Sequence, residues 1–254
     1  MRRMASSTTA RGVAVVVGVG PKLGRSIARK FAHEGYTVAI LARDLGRLSR
    51  LADEIAREEK AHVFAIRIDC SDSKSIREAF EGVLSLGFVE VLVYNAYYQP
   101  VSWNPTSFID IKVDSLEKSL AVSSLGAFLC AQQVLPGMVE RRRGTILFTG
   151  RSASLCGIAG FSELCCGKFA LRALSQCLSR EFRSLSVHVA HIIIDGIIGQ
   201  SRGASTSGGG DETVGMMEPE EIAQTYWHLH VQDRSGWTEE IDLRPSITTF
   251  YYTH

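Results

Sequence analysis

The sequence predicts a single α/β domain built on a doubly wound parallel sheet, and three observations lead to this fold class. Short runs rich in β-branched residues alternate with longer segments in which apolar residues recur at helical spacing, a pattern typical of parallel strands joined by helices. The strand runs contain few polar residues, as expected for strands covered by helices on both faces. A chain of 254 residues fits one domain of this class, and it shows no internal repeat or break in composition.

The first half of the chain is predicted to contain four strands, each followed by a helix. The strands are expected at Val13–Val17, Thr37–Ala42, Val63–Ile68 and Val89–Tyr94. The first helix is expected to end at Gly35, because glycine readily adopts the left-handed conformation that closes a helix. Two further helices are marked by apolar residues three or four positions apart, from Leu48 to Ile55 and from Ile76 to Val83.

The second half continues the alternation and then changes character. A long amphipathic helix is expected from about Leu116 to Arg141, followed by strands at Thr145–Phe148 and His188–Ile194 and a short helix that opens at Pro219. Between them, residues 199–217 are rich in glycine and serine and too polar to pack in a core. This segment is interpreted either as a disordered surface segment or as a lid over a cleft. Residues 1–12 are expected to be flexible, and residues 13–254 to form the domain.

Charge and cysteine content exclude several classes of protein. The net charge is +1 and the acidic and basic residues are interleaved, so no nucleic-acid or membrane partner is expected. The six cysteines lack metal-ligand spacing, which indicates no metal site and favours reduced thiols inside the cell. The first twelve residues lack the apolar core of a secretory signal, and no apolar run is expected to be long enough to span a bilayer. A cytoplasmic location is expected, with an organelle lumen left open.

A glycine-rich loop follows the first predicted strand directly. Gly18, Gly20 and Gly24 stand in this loop, which leads into the first helix of a βαβ unit. This context predicts a dinucleotide site of the Rossmann type, because such a loop brings backbone N–H groups close to a pyrophosphate at a helix N-terminus. The alternative is a glycine turn that binds no ligand.

The segment from Gly144 to Gly196 resembles the catalytic segment of the short-chain dehydrogenase/reductase (SDR) family, classical type. A strand at Thr145–Gly150 is followed by a helix that carries Lys168-Phe169-Ala170-Leu171, as in the family's Tyr-x-x-x-Lys helix. The resemblance runs from about Val13 to Gly196 and weakly from Glu218 to Pro245. It implies a Rossmann-like, NAD(P)-dependent oxidoreductase that acts on a small carbonyl or alcohol substrate. It also favours the lid interpretation, because the family's substrate loop lies in the region of 199–217.

The resemblance places the cofactor contacts residue by residue. In the glycine loop, Lys22 replaces the family's middle glycine, and its cation is expected to compensate in part for its bulk beside the pyrophosphate. Arg43 at the end of strand two can pair with a 2′-phosphate, which predicts NADP(H) in preference to NAD(H); the alternative is an ordinary solvated arginine. The remaining expected cofactor contacts are Leu23, Asp69, Cys70, Asn95, Ala96, Lys168 and Gly196.

The family's catalytic tetrad of Asn, Ser, Tyr and Lys is altered here at three positions. Ser123, Arg151 and Leu164 replace the first three groups, and only Lys168 is retained. A leucine cannot donate a proton, so a general-acid contribution of roughly 10²–10⁴ in rate is missing. Arginine can polarise a carbonyl oxygen but is a poor proton donor. Substitutes for the missing groups are sought among Tyr98, Arg151, Ser152, Ser154 and Cys165.

Two functions therefore remain open from sequence. The first is an NADP(H)-dependent oxidoreductase with a rearranged active site. The second is a catalytically weak or inactive subunit that binds cofactor and supports a related active partner. The helix expected near 116–141 and the Lys168 helix carry apolar residues on more than one face, and in the family these helices pack against a second subunit. A homodimer or homotetramer is expected, with a related SDR subunit as the alternative partner.

Overall fold

The computed structural model describes residues 11–99, 103–199 and 216–246, which form a seven-stranded sheet in the order β3-β2-β1-β4-β5-β6-β9. Every pairing in the sheet is parallel. Two further short strands, β7 and β8, pair with each other. The strands are β1 (Val13–Val17), β2 (Thr37–Ala42), β3 (Val63–Arg67), β4 (Val89–Tyr94), β5 (Gly144–Gly150), β6 (Val187–Ile194), β7 (Ile197–Ile198), β8 (Met216–Met217) and β9 (Glu240–Leu243).

Helices cover both faces of the sheet, which confirms the predicted doubly wound α/β fold. One apolar core lies under α1, α2 and α7, and the other under α3, α5 and α6. The strand order reverses between β1 and β4, and in such sheets this point opens a crevice beyond the carboxyl ends of the strands. The helices are α1 (Leu23–His33), α2 (Leu45–Glu59), α3 (Ser73–Ser85), α4 (Val113–Leu120), α5 (Gly126–Glu140), α6 (Ser162–Phe182) and α7 (Pro219–His230).

The long helix predicted near 116–141 begins at Val113 and contains a widened turn. Residues Ala121–Leu125 form a π-helical turn between α4 and α5, a feature that often accompanies functional sites. Tyr94 fixes it, because its hydroxyl donates a hydrogen bond of 2.5 Å to the carbonyl oxygen of Val122. A side chain on Gly126 would lie 2.6 Å from that same hydroxyl, so this turn requires glycine.

The composite helix Val113–Glu140 is long and apolar enough, by length and composition, to cross a membrane. The expectation that no apolar run is long enough to span a bilayer is therefore wrong for this helix by length and composition. In the fold, the inner side of α5 packs in the core through Ala127, Cys130, Val134 and Met138.

The edge strand β9 was not predicted. It pairs with β6, with His191 opposite Glu240, and the Glu240 carboxylate anchors it. Arg172 of α6 donates two hydrogen bonds of 2.7 Å to this carboxylate, and Nδ1 of His191 lies 2.9 Å from Oε2. Behind it, the rings of His188 and Trp237 stack with centroids 4.8 Å apart. Polar side chains thus attach the last strand to the edge of the sheet, although its sequence lacks the glycine-rich pattern of the family.

Candidate active site

A cleft of about 810 Å³ lies beyond the carboxyl ends of the central strands. Its glycine loop is shaped by close backbone packing. Gly18 has φ +85°, and a Cβ there would lie 2.4 Å from the Ala96 nitrogen, whereas a Cβ on Gly24 would lie 2.8 Å from the Cα of Val19. A Cβ on Gly20 would meet nothing within 4 Å. Two glycines are therefore required by the fold, and the third leaves the loop open towards the cleft.

Two side chains tie this loop to its surroundings. Asn95, directly after β4, donates from Nδ2 to the Gly18 carbonyl oxygen at 2.9 Å. Lys22 extends across the cleft, and its Nζ donates to the Ile198 carbonyl oxygen of β7 at 2.8 Å. The α1 helix begins at Leu23, so the positive end of its dipole faces the cleft. The glycine loop, the N-terminus of α1 and Lys22 therefore present positive charge at the same end of the cleft.

The predicted adenosine end of the cleft carries exposed charges at the ends of β2 and β3. Arg43 and Arg47 line it with Asp44, whose Oδ1 is engaged as the α2 cap by the Arg47 N–H at 3.0 Å. Asp69 accepts from the N–H and hydroxyl of Ser71 at 2.9 and 2.6 Å. These hydrogen bonds, with some help from the Arg43 charge, lower the pKa of Asp69.

Cys70, Ala96 and Gly196 also line the cleft, as the resemblance implies. Burial raises the pKa of the Cys70 thiol to about 11, so this cysteine contributes a neutral wall. All the sequence-predicted cofactor contacts therefore meet in one cavity, although they come from the ends of five different strands and from α6.

Lys168 forms the other end of the cleft. Its side chain is only 3 % exposed, and its Nζ donates to the Thr149 carbonyl oxygen at 3.0 Å. The Tyr97 ring lies 5.1 Å from this ammonium. Burial, and then the charge of Arg151, lower the pKa of Lys168 to about 7. Such a group exchanges its proton near neutral pH.

Arg151 follows β5 directly and lines the cleft beside Lys168. Its guanidinium carbon lies 5.0 Å from the ring centre of Trp103, which in turn packs against Phe161 at 6.4 Å. The hydroxyl of Ser154 donates to the Arg151 carbonyl oxygen at 2.6 Å and so fixes the start of this loop. The aromatic platform orients the charged group at a site where the family carries a small hydroxyl.

Leu164 stands on α6 one turn before Lys168 and lines the cleft, but it is only 3 % exposed. It belongs to a small apolar cluster that also contains Ala153, Phe161 and Cys165. The site of the family's tyrosine is thus an apolar part of the cleft wall.

The structure places Ser123 away from the cleft surface. It is completely buried inside the widened turn, 3.5 Å from the Tyr98 nitrogen, and the neighbouring Val122 lines the cavity in its place. Tyr97 and Tyr98 both line the cleft. Neither Ser152, whose buried hydroxyl has no hydrogen-bond partner among the described residues, nor Cys165 lines it. Of the suggested substitutes, Tyr98 and Arg151 are therefore the groups that reach the cavity.

Sequence reasoning missed the groups that support this end of the cleft. The ring of His191 lies behind Gly150, where a Cβ would be 2.1 Å from its Nε2, and is held by Glu240. From the opposite face, the Tyr226 hydroxyl lies 2.7 Å from Oγ1 of Thr149. The signal that could have found His191 was a pair of histidines, His188 and His191, in an otherwise apolar strand. The lid predicted at 199–217 falls mostly on 200–215, which lie outside the described residues.

Comparisons with known proteins agree with this geometry. The family model described as short chain dehydrogenase matches residues 12–204. A 3-ketodihydrosphingosine reductase of Bos taurus is 30% identical over 183 residues, which cover 69% of this chain and 53% of the relative. A very-long-chain 3-oxoacyl-CoA reductase of Homo sapiens is 28% identical over 183 residues, covering 71% and 57%. The chain thus spans about half the length of the curated relatives it matches.

Solved structures extend the similarity over nearly the whole chain. A short-chain dehydrogenase from Rhodopseudomonas palustris is 28% identical, with a TM-score of 0.79 over 92% of this chain and 98% of its own. An alcohol dehydrogenase from the archaeon Thermococcus sibiricus, complexed with 5-hydroxy-NADP, is 26% identical, with a TM-score of 0.78 over 95% and 99%.

Proposed function

Because the chain belongs to the short-chain dehydrogenase/reductase family, we propose that it is an NADP(H)-dependent oxidoreductase that interconverts a carbonyl group and an alcohol on a small molecule. One observation carries this proposal: a single cavity joins the glycine loop of α1 to the buried Lys168 ammonium. The names of the bovine and human relatives both designate reductases of keto compounds, which supports carbonyl reduction as the working direction.

The nucleotide end of the cleft fits a dinucleotide phosphate. Gly20 leaves space above the loop, and the N-terminus of α1 and the Lys22 ammonium would hold the pyrophosphate. Arg43 would hold the 2′-phosphate of NADP(H). Asp44, the carboxylate nearest to Arg43 in sequence, is engaged as a helix cap. This charge arrangement favours the phosphorylated cofactor over NAD(H).

At the other end, the residues supply a proton and orient the carbonyl. The nicotinamide, when bound, supplies the hydride that adds to the carbonyl carbon. Lys168 would release a proton to the carbonyl oxygen, so that the product is the alcohol. A pKa of about 7 suits this step, because the ammonium is then protonated often enough to act and acidic enough to give the proton up. The buried Leu164, one helical turn earlier, offers no group that could compete for the proton.

The proposal is tested by NADPH oxidation with a panel of ketones, 3-oxo esters and 2-oxo acids. Wild type should consume NADPH with at least one member of the panel. Lys168→Ala should reduce turnover at least about a hundredfold, because the proton donor is lost. Lys74→Ala is the control, since Lys74 lies exposed on α3 and away from the cleft. Full activity of Lys168→Ala would contradict the proposed role of the lysine.

A second candidate is a cofactor-binding subunit that supports a related active partner. It is favoured by the apolar wall at Leu164 and by exposed apolar side chains on α5 and α6, with Phe128 42% and Phe169 41% exposed. Members of this family generally form oligomers, and these helix faces would provide the contact. NADPH binding without turnover on the whole panel, together with co-purification of a second SDR chain from native extract, would support this alternative.

A further inference from the structure

The two ends of the cleft differ in the sign of the charges that line them. Among the described lining residues, the only carboxylates are Asp44 and Asp69, and both lie at the adenosine end. At the other end Lys168 and Arg151, both cationic, line the same cleft. The Arg151 charge disfavours the charged form of Lys168. An anion bound beside both groups would relieve this repulsion.

Both cations are held in place before any ligand binds. The Trp103 ring supports the Arg151 guanidinium at 5.0 Å, and the Thr149 carbonyl oxygen anchors Nζ of Lys168 at 3.0 Å. A guanidinium presents a planar fork of N–H donors that matches a carboxylate, whereas a serine hydroxyl at the same position would contact a neutral carbonyl oxygen. The replacement of serine by arginine therefore changes which chemical group this position can recognise.

We propose that the substrate is an oxo acid, with a carboxylate close to the carbonyl that is reduced. Arg151 binds the carboxylate, and Lys168 faces the carbonyl oxygen. The aromatic rings of Tyr97 and Tyr98, which line this end of the cleft, suit an apolar or aromatic remainder of the substrate. This inference rests on the proposed carbonyl chemistry and adds the charge of the substrate to it.

A matched pair of substrates tests the proposal. The probes are 2-oxo-4-phenylbutanoate and its ethyl ester, which differ in the negative charge. With wild type and NADPH, kcat/KM should be at least about tenfold higher for the acid, as expected for a charge-assisted bidentate contact. In Arg151→Ser this ratio should fall at least about tenfold, mainly through KM of the acid. In Arg151→Lys, which keeps the positive charge but lacks the planar fork of donors, the ratio of acid to ester should lie between those of wild type and Arg151→Ser.

The exposed Arg57 on α2 provides a matched control. Arg57→Ser removes the same charge from a surface outside the cleft, so the ratio of acid to ester should stay at the wild-type value. An equal change in Arg57→Ser and Arg151→Ser would mean that net charge, not a binding contact, sets the preference, and the proposal would be overturned.

A binding measurement separates this proposal from the proposed activity. Unreactive 4-phenylbutanoate and 4-phenylbutanamide are titrated calorimetrically into the protein saturated with NADP⁺. The acid should bind at least about tenfold more tightly than the amide, and Arg151→Ser should abolish the difference. Such binding without any turnover would support the anion site and contradict the proposed activity. Turnover of the ester as fast as the acid, with acid binding unaffected by Arg151→Ser, would overturn the anion site and leave the activity intact.

Discussion

The nucleotide end and the substrate end of the cleft are built by different means. At the nucleotide end, backbone packing dictates the residues: Gly18 and Gly24 cannot carry a side chain without collision. At the substrate end, side chains decide the chemistry, and the strand and helix that hold them tolerate Arg151 and Leu164 at the positions of a serine and a tyrosine. A fold can therefore constrain one end of a site sterically and leave the chemistry of the other end free to change.

The largest expected effect is the loss of stability when a side chain is added to a sterically constrained glycine of the loop. Gly18→Ala places a Cβ 2.4 Å from the Ala96 nitrogen at a φ of +85°, so the free energy of unfolding should fall by about 2 kcal/mol or more. Gly20→Ala is the matched control, because its Cβ would meet no atom within 4 Å. Urea unfolding of both variants measures the difference. A Gly20→Ala variant as destabilised as Gly18→Ala would contradict the steric account.

The burial of Lys168 should make stability depend on pH. Because its pKa is lowered to about 7 in the fold, the unfolded chain retains the proton at pH values where the folded chain has lost it. Stability should therefore rise with pH from about 7 towards the ordinary lysine range. The charged or titratable groups around Lys168 are Arg151, Tyr97 and His191, and the Arg151 charge acts in the same direction as burial.

Urea unfolding at pH 7 and pH 9 tests this dependence in wild type and Lys168→Met. Wild type should gain about 2 kcal/mol relative to the variant over this interval, since each pH unit contributes about 1.4 kcal/mol where the unfolded chain holds a proton that the folded chain has lost. Lys74→Met, which changes a solvent-exposed lysine, should follow wild type. Parallel curves for wild type and Lys168→Met would show that the ammonium is not buried as described.

The ion pair behind the substrate end should have a smaller effect. Arg172 and Glu240 are each about 30% exposed, so solvent screens their attraction, and Glu240→Gln should cost about 1 kcal/mol. The hydrogen bonds from Arg172 are the main reason that the pKa of Glu240 is lowered. The contribution of this pair is therefore present above the ordinary glutamate pKa and is lost as pH falls through the lowered value. A double-mutant cycle with Arg172→Ala at pH 7 and pH 3.5 measures it, and coupling that is unchanged at pH 3.5 would contradict this origin.

The sequence predicted the alternating strands and helices because buried parallel strands require continuous apolar runs, such as Val13–Val17. The family resemblance assigned the expected cofactor contacts, and the fold brings these residues together in one cleft because a parallel sheet gathers its strand ends at one edge. The sequence did not predict the buried position of Ser123, which depends on a π-turn fixed by the distant Tyr94 hydroxyl. Nor did it predict β9, whose attachment depends on Arg172 and His191 from other elements. Such tertiary contacts leave no local pattern.

The central claim, that this cleft is an NADP(H) site, is tested most directly by calorimetric titration of NADPH and NADH into wild type and Arg43→Ala. The account predicts that NADPH binds wild type at least about tenfold more tightly than NADH, since charge-assisted contacts to the 2′-phosphate contribute about 1.5–3 kcal/mol. Arg43→Ala should remove most of this difference and leave NADH binding nearly unchanged. Equal affinities of wild type for the two cofactors, or no binding of either, would contradict the claim.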